Sequence, residues 1–392
     1  MAQPAAGHHA RDHHLDYRLT IITAPARLPY IDWLRGVAIL IMIGAHTFDA
    51  WTLPAERVRP WYGRIVIIAG MAAPLFLFLA GVGLALSAAG RLRKGQTDRE
   101  ASSMVQRRGW QVFGYAFLFR LQSFVLGAFA SPSNLLKVDI LNVMGPAIAL
   151  AGALWGMARS RLGKAIWLSA TAIVIALATP LLRGSPILDA LPDPLEWYFQ
   201  PSKGRGTFTM LPWSAFVFAG AVLGTAIDGS TERLRPLWFQ AAVAASGAAL
   251  FAGGVWSALQ PALFPGAYFW TTSPAYVAVR VGLMLAVVAL AWLWTSRPWR
   301  ARDRSSPLEI FGTGSLFVYW VHVELVYGFA SRTLRRQLTL EQGVVAWLAM
   351  SAAMYLLLLG WNRLAPWRRG IRNLASRSIK STAWTQRAAQ GH

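Results

Sequence analysis

The stretch RGVAILIMIGAH, Arg35 to His46, decides how this chain is read. It opens on an arginine, runs through apolar and small residues without a break, and ends on an imidazole. Asp32 precedes it and Asp49 follows. At ~100° per residue, Asp32, Arg35, His46 and Asp49 share about a third of a helix's circumference. Arg35 and His46 then stand roughly 16 Å apart along the axis, from a rise of ~1.5 Å per residue. Ionisable groups in an apolar helix are costly and turn toward a protein-lined or watery cavity, which makes them functional candidates. His46 alone also fits a satisfied histidine on a packing face. The stripe of four favours function.

Composition sets the surroundings of that helix. Of 392 residues, 55% are hydrophobic and only 14% charged, whereas a soluble domain carries about a quarter charged. Apolar runs near 20 residues recur along the chain, the length that crosses a bilayer. The reading is an all-α polytopic transmembrane bundle of about ten spans. They fall near 33–53, 65–89, 109–130, 140–158, 165–182, 208–227, 237–259, 275–296, 308–330 and 343–361. Residues 1–26 form a polar tail holding His8, His9, His13 and His14; residues 27–365 form the membrane domain; residues 366–392 form a basic tail. The first span reads as a retained signal anchor, since it opens with charges and many spans follow.

The net charge of +21 lies mostly in short loops and tails. With the amino terminus inside, inner segments hold 26 Lys and Arg and outer loops hold 10. That bias predicts both termini in the cytoplasm, and it replaces any nucleic-acid partner as the explanation of the charge. The stretch Arg91, Arg93, Lys94, Arg99, Arg107, Arg108 reads as the strongest inner loop. There is no cysteine, which removes disulfides, thiolate metal sites and a cysteine nucleophile. No ligand spacing suggests a metal. Walker A, G-x-S-x-G and H-E-x-x-H patterns are absent. Gly81 and Gly83, inside a span, read as a close-packing device.

Further polar residues lie in later spans. Arg120, in GYAFLFRLQSF, needs a carboxylate, backbone carbonyls or an anionic ligand, and Asp139 is the candidate partner. Asp139 and Asn142, in KVDILNVMG, either cap a helix or enter a polar cavity. In FGTGSLFVYWVHVELVYG, the residues Ser315, Tyr319 and His322 share one helix face. His322 is either a second site residue or an interhelical hydrogen-bond donor. Glu324 lies ~200° from His322 on the wheel and is expected to pair with Arg280. The loop carrying Asp189, Asp193, Glu196, Trp197 and Tyr198 offers acids and aromatics that suit an amino sugar, or interfacial anchors.

Five segments carry a resemblance in order: RLPYIDWLRGVAILIMIGAH from Arg27, APLFLFLAGVGLALS from Ala73, DILNVMG from Asp139, MLPWSAFVFAGAVLG from Met210, and GTGSLFVYWVHVELVYG from Gly312. The chain resembles bacterial members of the heparan-α-glucosaminide N-acetyltransferase catalytic-domain family, within the wider integral-membrane acyltransferases. Its arginine and histidine, ten residues between them, are also similar to the motif of the acyltransferase-3 group, whose histidine is held to be essential. The resemblance implies acetyl-CoA, or another acyl-CoA, as co-substrate and no metal. It implies a sugar or envelope-glycan acceptor and residence in the bacterial cytoplasmic membrane, with a homodimer among the open assemblies.

Carried over by position, the motif residues are Arg35 and His46, with His46 as the base. One turn along the same face Asp49 would fix its tautomer, and His322 would be a further catalytic residue. The phosphates of coenzyme A would suit Arg35, Arg120 and the inner basic loop; Asp139, Asn142 and Tyr319 would contact the acceptor. One departure stands out. The family's lysosomal member is thought to use a histidine in its first extracytoplasmic loop, and Thr52 to Arg64 contains none. His46 must then take over, or transfer is direct. A transporter or flippase, with the His, Asp and Arg set as a proton or anion site, is the alternative.

Overall fold

The computed structural model describes residues 28–126, 131–201, 206, 208–229, 236–296 and 305–364. The four histidines of the first tail lie outside them. Pro29 opens α1 (Pro29–Trp51) at a position where its missing N–H is no loss, and Asp32 sits on the positive end of the helix dipole. Past Trp51 the backbone extends, and Thr52 forms an isolated parallel bridge with Leu338. α2 (Pro60–Ala69) and α3 (Ala72–Leu92) are separated only at Gly70–Met71. After a turn comes α4 (Asp98–Leu126), whose 29 residues span roughly 43 Å.

Asp139 caps α5 (Ile140–Met157): its carboxylate accepts from the N–H groups of Leu141 and Asn142, while the Asn142 side chain accepts from the Asp139 N–H. Ser160 caps α6 (Arg161–Leu182). Two single turns, α7 (Pro186–Asp189) and α8 (Asp193–Glu196), lead to α9 (Met210–Gly229), followed by α10 (Pro236–Leu259) and α11 (Pro274–Thr295). A Ser306/Glu309 capping box starts α12 (Pro307–Thr313). At Gly314 the chain bends by 88° into α13 (Ser315–Tyr327). A Thr339/Gln342 box starts α14 (Leu340–Arg363).

Among the described residues eight helices, counting α2 and α3 as one, are long and apolar enough to cross a membrane, and the bent α12–α13 pair makes a ninth if it is one span. The remaining expected span, near 109–130, falls on α4 as far as Leu126, its last residues lying outside the described ones; α4 is long enough but not apolar enough to count by composition. The protein is a polytopic helical membrane protein. Burial ranks the helices: 67% of the apolar window of α9 is buried, against 17% for α6 and for α10. α9 is therefore core, whereas α6 and α10 turn most of their surface to lipid.

Close approach of α3 and α9 forms the centre. Gly81 lies against the Val217 carbonyl, Gly220 against that of Phe78, and Gly224 against that of Val82. Without side chains between them, dispersion contacts run backbone to backbone, the means by which helices associate where no hydrophobic drive exists. Phe78, Phe216 and Phe218 fill the space alongside. Gly83 has a different neighbour, the Arg35 guanidinium, so it makes room for a charge rather than a helix.

One expectation needs correction. The basic stretch from Arg91 to Arg108 is mostly helix, not loop: only the residues between Leu92 and Asp98 are non-helical. The Asp98 and Glu100 carboxylates occupy the first turn of α4, where the dipole favours them. Arg107 and Arg108 thereby become part of a helix wall.

Gly81→Val is expected to cost about 1–3 kcal/mol by overpacking and to lower the melting temperature in detergent, followed by tryptophan fluorescence. Gly114→Ala, whose added methyl meets open space, should melt no lower than wild type.

Candidate active site

α1 carries its polar groups along the interior of the bundle. Near its start Asp32 accepts from the Arg35 guanidinium at 3.0 Å. The far side of Arg35 faces a cavity of about 710 Å³ between α1, α3, α4, α5 and α13. Arg35, Arg91, Arg107 and Arg108 line it together with Ser87 and Gln111, and among the described residues no carboxylate does. Farther in, the walls turn apolar with Leu79, Leu84, Val112, Ile140, Leu141 and Met144. Met42, Phe76 and Tyr319 line its deep part. Met42 and Tyr319 each stand about one helical turn before a histidine, His46 on α1 and His322 on α13.

The two histidines meet. Nδ1 of His46 lies 2.9 Å from Nε2 of His322, with the rings stacked at a centroid distance of 5.0 Å. Nδ1 of His322 lies 2.7 Å from the Val318 carbonyl oxygen. A carbonyl only accepts, so His322 carries its proton on Nδ1. With both rings neutral, its Nε2 is then the acceptor, and His46 donates from Nδ1. The lone pair of His46 is left on Nε2, which among the described residues has no hydrogen-bond partner. This chain of donors orients an imidazole and frees its second nitrogen, the role an aspartate plays in a hydrolase triad.

Asp49 does not take that role. Its carboxylate accepts from the Tyr327 hydroxyl at 2.9 Å and lies 3.9 Å from the Arg57 guanidinium, which also donates to the Asp49 carbonyl. One turn past His46 the helix is about to end, so Asp49 meets the segment that follows instead of the bundle interior. Tyr327 connects the two places: its hydroxyl is on Asp49 and its ring packs edge-on against His46 at 5.5 Å. Tyr62, under the Arg57 guanidinium at 5.6 Å, completes a polar rim at this end.

Arg120 and Asp139 pair across α4 and α5 at 3.2 Å, as their chemistry required. Arg120 is outside the lining of the cavity. Asn142, besides its capping bond, donates to the Tyr198 hydroxyl at 3.1 Å. Burial raises the Tyr198 phenol above its ordinary value, against the Asn142 hydrogen bond that lowers it. Asp139 and Asn142 thus fasten the start of α5. Of the loop with acids and aromatics, Trp197 is buried against Val138 and Val143, so its ring is unavailable to a sugar. The expected Glu324–Arg280 pair does not form. Glu324 accepts from Ser123 at 2.6 Å because α13 presents it to α4, and Arg280 stacks on Tyr276 at 5.0 Å. Ser315 and Tyr319 do share the cavity wall, and the Tyr319 ring is 6.1 Å from that of His322. Among the described residues no group of three or more His, Asp or Glu could hold a metal ion.

The sequence pattern defining the heparan-alpha-glucosaminide N-acetyltransferase catalytic family matches residues 27–257, more than half of the chain. The chain belongs to that family. Membership makes it a membrane acetyltransferase by class. No curated protein matches the chain. The family match includes Arg35, His46, Asp49, Arg120, Asp139 and Asn142 but ends before Tyr319 and His322. The second histidine of the pair is thus supplied by a part of the chain beyond the family pattern. Of the cavity wall, Gly83 and Ser87 escaped the sequence reading as site residues. Arg91, Arg107 and Arg108 belong to the basic stretch expected both to fix orientation and to suit the coenzyme's phosphates, and the structure brings them to the cavity wall.

Removing one partner of the Arg120–Asp139 pair leaves a buried charge. Arg120→Met is expected to destabilise by about 3–5 kcal/mol. Arg120→Met with Asp139→Asn, which keeps the cap, should recover part of that loss in the same detergent melting assay.

Proposed function

We propose that the protein transfers an acyl group, acetyl in the first instance, from a coenzyme A thioester to an amino or hydroxyl group of a sugar or envelope glycan. The observation that carries this is the His322–His46 hydrogen-bond chain, which leaves Nε2 of His46 as a free base. The cavity one turn away fits the donor. Its arginines suit phosphates, which guanidinium groups bind in bidentate fashion. The lack of a lining carboxylate avoids repulsion, and the apolar inner walls suit an acyl-bearing arm. From Arg35 to His46 it is roughly 16 Å along α1, so one extended molecule reaches from the basic end to the base.

The acceptor approaches from the other end, past Asp49, Tyr327, Arg57 and Tyr62. His46 Nε2 takes the acceptor's proton as its nitrogen or oxygen attacks the thioester carbonyl. The carbon–sulfur bond then breaks and the thiolate regains a proton from the imidazolium. While His46 is charged, its Nδ1–H remains bonded to His322, so the charge is stabilised without a carboxylate. The bias of Lys and Arg supports both termini and the basic end of the cavity in the cytoplasm, with the acceptor on the outer side of a bacterial cytoplasmic membrane. The 88° break between α12 and α13 favours a transporter as the second reading, since broken helices build substrate sites there.

Radiolabelled acetyl transfer from acetyl-CoA to glucosamine-containing acceptors, with calorimetric binding of acetyl-CoA, separates these readings. His46→Ala should lose about 10²–10⁴-fold in turnover while still binding acetyl-CoA. His322→Ala should fall in the same range, with His322→Gln, which retains an acceptor oxygen, less impaired. Arg35→Ala should weaken acetyl-CoA binding instead. An active His46→Ala protein would end the proposal, and absence of acyl-CoA binding would favour transport.

A further inference from the structure

A second cleft lies on another face of α3, between α3, α5, α6 and α9, with a volume of about 340 Å³. It shares no lining residue with the large cavity. Arg93, Arg159, Arg161 and Lys164 line it, opposed among the described residues by the single carboxylate of Asp228. Asp228 is already taken up by Arg93 and, at 3.7 Å, by Arg161. Lys164, only 3% exposed, bonds to Asp98 and lies 3.5 Å from the centre of the Trp155 ring. Arg159 has no carboxylate partner among the described residues, so four cations face two carboxylates.

A second observation points the same way. Trp155 lines the cleft, is 2% exposed, and its buried indole N–H has no hydrogen-bond acceptor among the described residues. A buried donor without an acceptor is costly. The excess positive charge and the orphan N–H both call for one anionic ligand rich in acceptor oxygens.

We infer that this cleft is a binding site for a phosphate group, separate from the acyl-donor cavity. Arg159 and Arg161 supply the guanidinium forks, Lys164 a buried charge and Trp155 an N–H donor. Ala89 and Leu92 add an apolar floor. Two sources carry this chemistry: the headgroup of an anionic phospholipid, for which basic pockets between transmembrane helices are suited, and a free phosphate ester.

The test uses delipidated full-length protein in neutral detergent and native mass spectrometry. The probes are dioleoyl phosphatidylglycerol, dioleoyl phosphatidylcholine and glycerol phosphate. Wild type should retain phosphatidylglycerol over phosphatidylcholine. Arg159→Gln with Arg161→Gln, both at exposed positions, should weaken that retention by about tenfold. Trp155→Phe, which keeps the ring and deletes the N–H, should weaken it by a smaller factor. Sensitivity of glycerol phosphate binding to the same variants would identify a free phosphate ester as the ligand; sensitivity of phosphatidylglycerol alone would identify the lipid. If the double variant binds every probe as wild type does, the site does not exist. If the double variant loses acetyl-CoA affinity in parallel, the cleft is part of the donor site and its separateness is overturned.

Discussion

A polar side chain held in hydrocarbon must find its partner inside the protein, and α1 has three such side chains, Asp32, Arg35 and His46, on one face, with Asp49 at its rim. That requirement organises the bundle around it. Asp32 meets Arg35, and Arg35 is given space by Gly83 on α3. His46 meets His322, and Asp49 meets Tyr327 and Arg57. Each partnership draws a different segment against α1, so one helix's polar stripe determines which elements surround it. The 88° bend at Gly314 belongs to the same solution. The backbone turns where no side chain obstructs it, and α13 can then present His322 to α1 while α12 packs Gly312 against the Asp32 backbone.

The arrangement divides the molecule by chemistry along one axis. At one end, arginines from α1, α3 and α4 surround a cavity without a carboxylate. In the middle the lining is apolar, and beyond it two imidazoles share a hydrogen bond. At the opposite end an aspartate, two tyrosines and an arginine face outward. A thioester with charged phosphates and an apolar-compatible arm fits the first two regions, and a hydroxylated or amino acceptor fits the third. His46, the proposed base, sits where they meet. In a protein of acetyltransferase class, this order is what transfer across a membrane would need.

Much of this was legible without coordinates, and for definable reasons. Arg120 and Asp139 paired as expected because a buried arginine has few acceptable neighbours and only one carboxylate opened the next span. Asp139 and Asn142 capped α5 because a cap depends on residues three apart. Other expectations failed where the decision lay between helices. Glu324 was assigned to Arg280 from the wheel alone, but the rotation of α13 turns it to Ser123. Asp49 shares a helix face with His46, yet a rim residue near a helix end is claimed by the chain that follows. The basic stretch before Arg108 looked like a loop because charge density resembles one, and its continuation as helix is what brings Arg107 and Arg108 to the cavity.

The sequence by itself determined the class of protein, the course of its spans and the polar face of α1. These follow from hydropathy and from the 3.6-residue period, which are properties of neighbouring residues. Only the tertiary structure decided that His46 faces His322, 276 residues away, and which ring nitrogen is left free. Hydrogen bonding between distant helices depends on their rotation, depth and approach, and those are set by glycines and side chains on every helix in contact. No local pattern contains that information.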